Sequence, residues 1–201
     1  MNRHDPVRPA PAASTAVRRA AVLGSPVAHS LSPVLHRAAY DELGLKDWTY
    51  ERYEVDESGI ASFLSGTDAQ WAGLSLTMPL KRAVIPLLDE VTDTAASVGA
   101  VNTVLFTGRG RRVGGNTDIP GMIAALRERG IERVESAAVL GAGATASSAL
   151  AALALMGTGE VTAYVRSEER AREMQGWGER LGVPVRVAEW ADAARALTSP
   201  L

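Results

Sequence analysis

Cysteine is absent from the 201-residue chain, and long apolar runs are absent as well. Without cysteine the chain cannot form disulfides, zinc–thiolate sites, iron–sulfur clusters or a thiol nucleophile. No apolar run approaches the roughly 20 residues of a membrane-spanning helix. The net charge of −2 gives no reason to expect a nucleic-acid partner, and 46% hydrophobic residues are too many for a disordered protein. We therefore expect a folded protein with neither a nucleic-acid nor a membrane partner.

Lysine is also scarce. Of the 21 basic residues only Lys46 and Lys81 are lysines, and the other 19 are arginines. Arginine cannot transfer a proton at ordinary pH, because its pKa exceeds about 12. A lysine retained against this background is a weak indication of proton chemistry. Lys46 has the context of an ordinary surface residue, whereas Lys81 follows a proline at the start of a predicted helix.

The chain is predicted to consist of a tail, two α/β units and a helix between them. Residues 1–17 are rich in proline and alanine and lack the apolar segment of a secretory signal, which predicts a disordered tail and a cytoplasmic protein. Strand-like and helix-like segments alternate over residues 18–117, which is typical of an α/β domain. Residues 118–133 predict a linking helix. A β-α-β-α-β order over residues 134–201 predicts half of a doubly wound domain, so we expect that domain to be incomplete here.

Some predicted elements carry candidate site residues or are tested closely by the structure. The pattern predicts helices over Ser32–Leu43 and Lys81–Leu88, and a strand over Ala100–Thr107 that would contain Asn102. That strand and Arg112–Gly114 flank a Gly/Arg turn, which indicates a hairpin. In the second unit a helix is predicted over Glu168–Leu181 and the last strand over Val183–Val187.

A glycine-rich turn opens the second unit. It reads Gly141-Ala142-Gly143-Ala144-Thr145-Ala146, directly after an apolar strand and at the start of a small-residue helix. In a G-x-G-x-x-A turn the first glycine permits the tight bend, the second admits a pyrophosphate, and the small third residue lets helix and strand pack closely. The free N–H groups of the helix start attract phosphate. We therefore predict a dinucleotide site, with an ordinary tight α/β turn as the structural alternative.

The residues after the next strand bear on the choice of dinucleotide. Arg166 stands where an NAD-binding protein is expected to have an acidic residue, and Ser167 and Arg170 follow. Two arginines and a hydroxyl near the ribose favour a 2′-phosphate, hence NADP. Glu168 and Glu169 keep NAD open. The structural alternative is that the arginines are solvated at the start of a helix, with Arg170 paired to a glutamate.

Polar residues recur at the ends of predicted elements in the first unit. The candidates are Ser30, Ser32, Ser75, Thr77, Lys81, Asn102, Asn116 and Asp118. Several have structural alternatives, since Ser32 and Asp118 are good helix N-caps and Asn116 could form an Asx turn. Asn102 interrupts an apolar segment, where an amide is unfavourable unless it is paired. Each alternative explains one residue, but none of them explains why all these polar residues occur together in this order along the chain.

Taken together, the motifs resemble those of the shikimate dehydrogenase family. They are H-S-L-S-P at 29–33, L-T-M-P-L-K at 76–81, G-A-V-N-T at 99–103, N-T-D at 116–118 and the G-A-G-A-T-A turn. The resemblance implies an N-terminal α/β substrate-binding domain followed by a Rossmann-like NAD(P)-binding domain. It implies reversible NADPH-dependent reduction of 3-dehydroshikimate to shikimate, in aromatic amino-acid biosynthesis, by a monomer or homodimer that needs no metal.

The resemblance also assigns roles to individual residues. It makes Lys81 and Asp118 the catalytic pair and gives the substrate to Ser30, Ser32, Ser75, Thr77, Asn102 and Asp118. The cofactor residues would be Gly141, Ala142, Gly143, Ala144, Thr145, Ala146, Arg166, Ser167 and Arg170. This chain has Ser75 where the family often has asparagine. Two other functions stay open, namely a quinate/shikimate dehydrogenase that uses NAD and a non-catalytic relative that binds the same ligand.

Overall fold

A computed structural model describes residues 17–194. The tail predicted over residues 1–17 lies outside the described residues except for Val17, and so does the end of the segment predicted over 134–201. The strands are β1 Arg18–Gly24, β2 Trp48–Glu54, β3 Trp71–Leu76, β4 Glu90–Val91, β5 Thr103–Thr107, β6 Arg111–Gly115, β7 Ser136–Leu140, β8 Glu160–Val165 and β9 Val185–Glu189. The α-helices are α1 Ser32–Glu42, α2 Ile60–Ser65, α3 Leu80–Ala83, α4 Asp93–Val98, α5 Asp118–Arg127, α6 Ala144–Leu155 and α7 Glu168–Leu181.

The first sheet has six strands in the order β2-β1-β3-β5-β6-β4. Strands β1, β2 and β3 are parallel, whereas β5 pairs antiparallel with both β3 and β6. The central strands are the most apolar, and Leu23, Leu74 and Leu76 lie in one buried cluster with Leu80 and Val84 of the α3 region. This core fixes the ends of β1 and β3, after which half of the eight candidate polar residues follow, namely Ser30, Ser32, Thr77 and Lys81.

The second sheet is parallel, with the order β7-β8-β9. Helix α6 is built from small and apolar residues on all sides, which is typical of a helix buried on more than one face. One side packs on the sheet through Leu150. The other side places Ala151 and Ala152 against Val98 and Ile119 of the first unit. The small residues of α6 thus bring the glycine-rich turn close to the candidate residues of the first unit.

The α/β fold class is confirmed, and the hairpin formed by β5 and β6 is confirmed with it. Several boundaries are wrong. The helix predicted over Lys81–Leu88 is α3 followed by a 3-10 turn at Ile85–Leu87, because Pro86 cannot continue an α-helix. The strand predicted over Val183–Val187 begins at Val185, since the N–H of Val183 donates to Gly178 at the end of α7. Helix α4 was not predicted.

Among the described residues no helix is both long and apolar enough to cross a membrane.

Candidate active site between the two sheets

A lysine–carboxylate pair lies where the two α/β units meet. Lys81 Nζ is 2.6 Å from Asp118 Oδ2, and it also lies 3.4 Å from the hydroxyl of Thr145 in the second unit. The two charged side chains are 14% and 24% exposed. Because partial burial reduces screening by water, the attraction holds the ammonium group in one place. The pair thus supplies a fixed proton carrier beside the glycine-rich turn.

The backbone around Lys81 is anchored on both sides. Leu80 is fully buried in the core of the first unit, and this burial fixes the short helix α3 on the sheet. The carbonyl of Lys81 accepts a hydrogen bond of 2.8 Å from the N–H of Val101. This bond ties the lysine to the loop that carries Asn102, so the two residues are positioned together.

Asn102 holds the second oxygen of the carboxylate. Its Nδ2 donates to Asp118 Oδ1 at 2.7 Å, while its Oδ1 accepts from the N–H of Thr117 and the hydroxyl of Thr103, each at 2.9 Å. The donors around Oδ1 fix the orientation of the amide, which points the NH₂ group at Asp118. Asn102 lies just before β5, so its predicted place within a strand is wrong; its buried amide is paired, as the sequence required.

Asn116 forms the Asx turn that was its structural alternative, and it also joins the two units. Its Oδ1 accepts from the N–H of Asp118 at 3.0 Å. Its Nδ2 donates to the carbonyl of Ala100 and to the hydroxyl of Ser148 in α6, both at 3.0 Å. Asp118 is the first residue of α5, and the flanking Thr117 makes no side-chain cap. The alternative of Asp118 as an N-cap is therefore wrong, and its carboxylate is left for Lys81 and Asn102.

A polar cavity of about 420 Å³ opens beside this pair. Its walls include every residue predicted to bind substrate, namely Ser30, Ser32, Ser75, Thr77, Asn102 and Asp118, together with Lys81. Ser32 is the first residue of α1 and makes no cap, so its structural alternative is wrong. Ser30 Oγ instead accepts from the N–H of Ser32 at 3.3 Å. The cavity offers hydroxyls, an amide and an ammonium group to one small polar ligand.

Ser75 and Thr77 reach the cavity from the end of β3. Ser75 lies in the strand, and Thr77 is the first residue beyond it. The N–H of Thr77 donates to the carbonyl of Leu23 in β1, and a Cβ on Gly24 would clash with Thr77 Cγ2. Glycine at position 24 therefore permits this close crossing of β1 and the end of β3.

A second cavity, of about 630 Å³, lies along the glycine-rich turn. Gly141 has φ of +99°, a backbone conformation that favours glycine, and Gly143 precedes α6 with nothing within 4 Å of a Cβ placed on it. Gly143, Ala144, Thr145, Ala146 and Arg170 line this cavity. Gly141, Ala142, Arg166 and Ser167 are not among its lining residues. The space beside Gly143 and the N–H groups of Ala144 and Thr145 at the start of α6 fit a pyrophosphate.

The two cavities share Thr77 and Lys81. One cavity is lined by all the candidate substrate residues and the other by five of the nine candidate cofactor residues. A group bound in each would therefore meet at the ammonium group of Lys81.

The residues after β8 make structural contacts as well. Ser167 caps α7 by accepting from the N–H of Arg170 at 3.3 Å. Arg170 Nη1 is 2.7 Å from Glu173 Oε2, which is the ion pair that the structural alternative anticipated. The guanidinium of Arg166 lies over the ring of Trp190, 4.3 Å from its centroid.

The sequence missed two contacts near the site. Tyr50, on β2, donates its hydroxyl hydrogen to Ser75 Oγ at 2.8 Å. Arg82, next to Lys81, pairs with Glu173 of α7 across the junction of the two units. Neither contact has a local signal, because each joins residues that are far apart in the chain. Within residues 17–194 no group of three or more histidine, aspartate or glutamate side chains is arranged to hold a metal ion.

Known proteins match both the sequence and the fold. A family profile for the shikimate dehydrogenase substrate binding domain matches residues 22–104. A shikimate dehydrogenase (NADP(+)) of Streptococcus equi subsp. zooepidemicus is 42% identical over 152 residues, which make up 74% of this chain and 51% of that protein. The chain spans about half the length of the first curated relatives it matches.

Solved structures of the same family superimpose on the fold. The shikimate 5-dehydrogenase from Mycobacterium fortuitum is 40% identical, with a TM-score of 0.78 over 90% of this chain and 67% of that one. The shikimate 5-dehydrogenase from Thermus thermophilus, in complex with NADP(H) and shikimate, is 38% identical, with a TM-score of 0.74 over 84% and 62%. By sequence and by fold, the chain belongs to the shikimate dehydrogenase family.

Proposed function

We propose that this chain carries the active site of an NADP-dependent shikimate dehydrogenase, which interconverts 3-dehydroshikimate and shikimate. The observation that carries the proposal is the Lys81–Asp118 pair at the junction of two cavities. The relative from Streptococcus equi and the solved structure from Thermus thermophilus support the substrate and the cofactor by their names. We further propose residues 18–117 as the substrate-binding domain and residues 134–201 as part of the cofactor-binding domain.

The cavity of Ser30 and Ser32 suits a small polyhydroxy acid. Hydroxyls and the N–H groups at the start of α1 would bind a carboxylate, since they are donors. Thr77 and Asn102 would hydrogen-bond ring hydroxyls. The small volume of the cavity and its polar walls favour a compact polar ring over an apolar ligand.

NADPH, when bound along the glycine-rich turn, supplies the hydride for the reduction. Lys81 donates a proton from Nζ to the oxygen of the reacting carbonyl, which would otherwise carry a full negative charge. In the reverse direction the same nitrogen accepts the proton of the hydroxyl. Asp118 holds the ammonium group in position, and Asn102 holds Asp118, so Lys81 does not have to reorganise during the transfer.

The test is a measurement of shikimate-dependent NADP⁺ reduction by the protein and by Lys81→Ala. We expect kcat to fall by about 10²–10⁴-fold in the variant, because a general acid–base group is removed. The KM for shikimate should change little, since the contact matters mainly in the transition state. Lys46→Ala is the matched control, because Lys46 is exposed and is the only other lysine.

Two outcomes would contradict this proposal. If the unaltered protein reduces no NADP⁺ with shikimate but binds shikimate in calorimetry, it is a non-catalytic binding relative. If kcat/KM is higher for NAD⁺ and quinate, it is a quinate/shikimate dehydrogenase. Arg166 favours the phosphorylated cofactor through its charge. The monomer or homodimer and the cytoplasmic location stay predictions.

A further inference from the structure

One buried tyrosine lies next to Ser75, on the side of that residue away from the substrate cavity. Tyr50 on β2 is only 2% exposed, and it does not line the cavity itself. Its hydroxyl donates to Ser75 Oγ at 2.8 Å. Burial raises the pKa of Tyr50 above its ordinary value. The phenol therefore stays protonated at neutral pH and remains a donor to Ser75.

The sheet and α1 together fix the ring of Tyr50. Strand β1 separates β2 from β3, so the side chain of Tyr50 has to cross β1 to reach Ser75. It packs there in a small buried cluster with Ala20 and Val22 of β1. The ring stacks on His36 with centroids 3.8 Å apart and an interplanar angle of 13°. His36 Nδ1 in turn lies 2.9 Å from the carbonyl of Ser32. The tyrosine is thus held between β1 and the first turn of α1.

The hydrogen bond determines what Ser75 can offer to a ligand. A serine hydroxyl has one donor hydrogen and two acceptor lone pairs. Tyr50 occupies one lone pair from behind the wall, so the hydrogen of Ser75 is free to point into the cavity. A hydroxyl that accepts one hydrogen bond also becomes a better donor, because hydrogen bonds in a chain polarise one another.

We propose that Tyr50 is a positioning residue for substrate binding: its buried hydroxyl orients Ser75 as a donor to an oxygen of the bound polyhydroxy acid. The proposal rests on the proposed function. It assigns to Tyr50 no contact with the ligand and no part in proton transfer. Tyr50 should therefore affect the binding of shikimate more than its turnover.

Tyr50→Phe tests the proposal, because it removes only the hydroxyl. We expect the KM for shikimate, or its dissociation constant in calorimetry, to rise about threefold to tenfold, as expected for one hydrogen bond. We expect kcat to stay within about twofold, because the lost contact serves substrate and transition state alike. The matched control is Tyr53→Phe on the same strand, whose hydroxyl bonds to Arg19 and Glu51 away from the cavity.

Combining variants of Tyr50 and Ser75 distinguishes a positioning role of Tyr50 from a merely structural one. Ser75→Ala should raise KM by a similar factor, and adding Tyr50→Phe to it should raise KM no further, because the two residues act through one donor. If the two increases multiply, or if Ser75→Ala leaves KM unchanged, the proposal is wrong. If Tyr50→Phe fails to fold, an unchanged KM in Ser75→Ala still overturns the proposal. If the unaltered protein neither binds nor oxidises shikimate, the proposed function fails, and the proposal on Tyr50 fails with it.

Discussion

Glu173 of α7 joins two arginines, one from each unit. Its Oε2 lies 2.7 Å from Arg170 on its own helix, and its Oε1 pairs with Arg82, the residue after Lys81. The Glu173 side chain is 19% exposed, whereas those of Arg82 and Arg170 are 40% and 52% exposed. We predict that Glu173→Gln, which keeps the shape and removes the charge, loosens the contact between the two units.

The expected loss of stability follows from how exposed Glu173 and its two arginine partners are. Exposed ion pairs contribute about 0–1 kcal/mol, and removing one partner of a fully buried pair costs about 3–5 kcal/mol. Glu173 is mostly buried but its partners are half in water, so we expect a loss of about 2 kcal/mol in the free energy of unfolding. For a chain of this size that corresponds to a fall in Tm of about 4–8 °C.

The effect should depend on pH in one direction. Burial alone would raise the pKa of Glu173, but the hydrogen bonds and charges of Arg170 and Arg82 outweigh it and leave the pKa below its ordinary value. A depressed carboxyl pKa stabilises the folded state above the unfolded pKa, near about 4.3, and the stabilisation is lost as pH falls through the folded value. The difference in the free energy of unfolding between the unaltered protein and Glu173→Gln should be full at neutral pH and shrink below about pH 4.

Thermal unfolding followed by circular dichroism over this pH range measures the effect. Glu168→Gln is the control, since its ion pair with Arg172 lies on the same helix but is exposed, and we expect it to cost no more than about 0.5 kcal/mol. The reasoning is refuted if Glu173→Gln and Glu168→Gln have the same Tm at neutral pH. The prediction is also wrong if the difference in Tm between the unaltered protein and Glu173→Gln is as large below pH 4 as at neutral pH.

Two further predictions concern the backbone and the cofactor. Gly99→Ala should lower the free energy of unfolding by clearly more than Gly182→Ala, which should cost roughly 1 kcal/mol for left-handed strain alone. Both glycines end helices with positive φ, but only a Cβ on Gly99 would lie 2.8 Å from the ring of Trp177. Equal losses for the two variants in denaturant titration would contradict this prediction. Arg166→Ala should raise the KM for NADP⁺ about 10–100-fold and leave the KM for NAD⁺ nearly unchanged, because only NADP⁺ carries a 2′-phosphate for the guanidinium to bind. Equal increases for both cofactors in steady-state kinetics would count against the assignment.

Local signals in the sequence were sufficient for much of the fold. Helix α7 was predicted with its observed bounds, Glu168–Leu181, since Ser167 caps one end and Gly182 in a left-handed conformation closes the other. The glycine-rich turn was predicted because strand, turn and helix follow one another directly. In both places the residues that determine the structure are neighbours in the chain.

Helix α4 shows where local reasoning was incomplete. It begins after Thr92, whose hydroxyl accepts from the N–H of Ala95, and it ends at Gly99 with φ of +56°. These are ordinary start and stop signals, so the sequence could have predicted this six-residue helix. Its short apolar pattern carries too little periodicity to indicate a helix without those end signals.

The polar residues of the site were predicted as a set, but their partners were not. That Asn102 binds Asp118 follows from a loop crossing the end of β3, and that Tyr50 reaches Ser75 follows from strand order in the sheet. Such contacts depend on how distant segments meet. Sequence spacing predicts which chemical groups are present, whereas the tertiary fold decides which of their oxygens and nitrogens are already occupied.

If the proposed function is right, the hydrogen bonds around Asp118 give a reason for a lysine at position 81 in a chain with 19 arginines and only two lysines. Both oxygens of Asp118 have donors, Lys81 on one and Asn102 on the other, so the carboxylate is held as a fixed negative charge. An arginine at this position could pair with that charge equally well, but it would release no proton, since its pKa exceeds about 12. Under the proposed function, Lys81 beside Asp118 combines the ion pair with proton transfer at the point where the two cavities meet, which an arginine could not do.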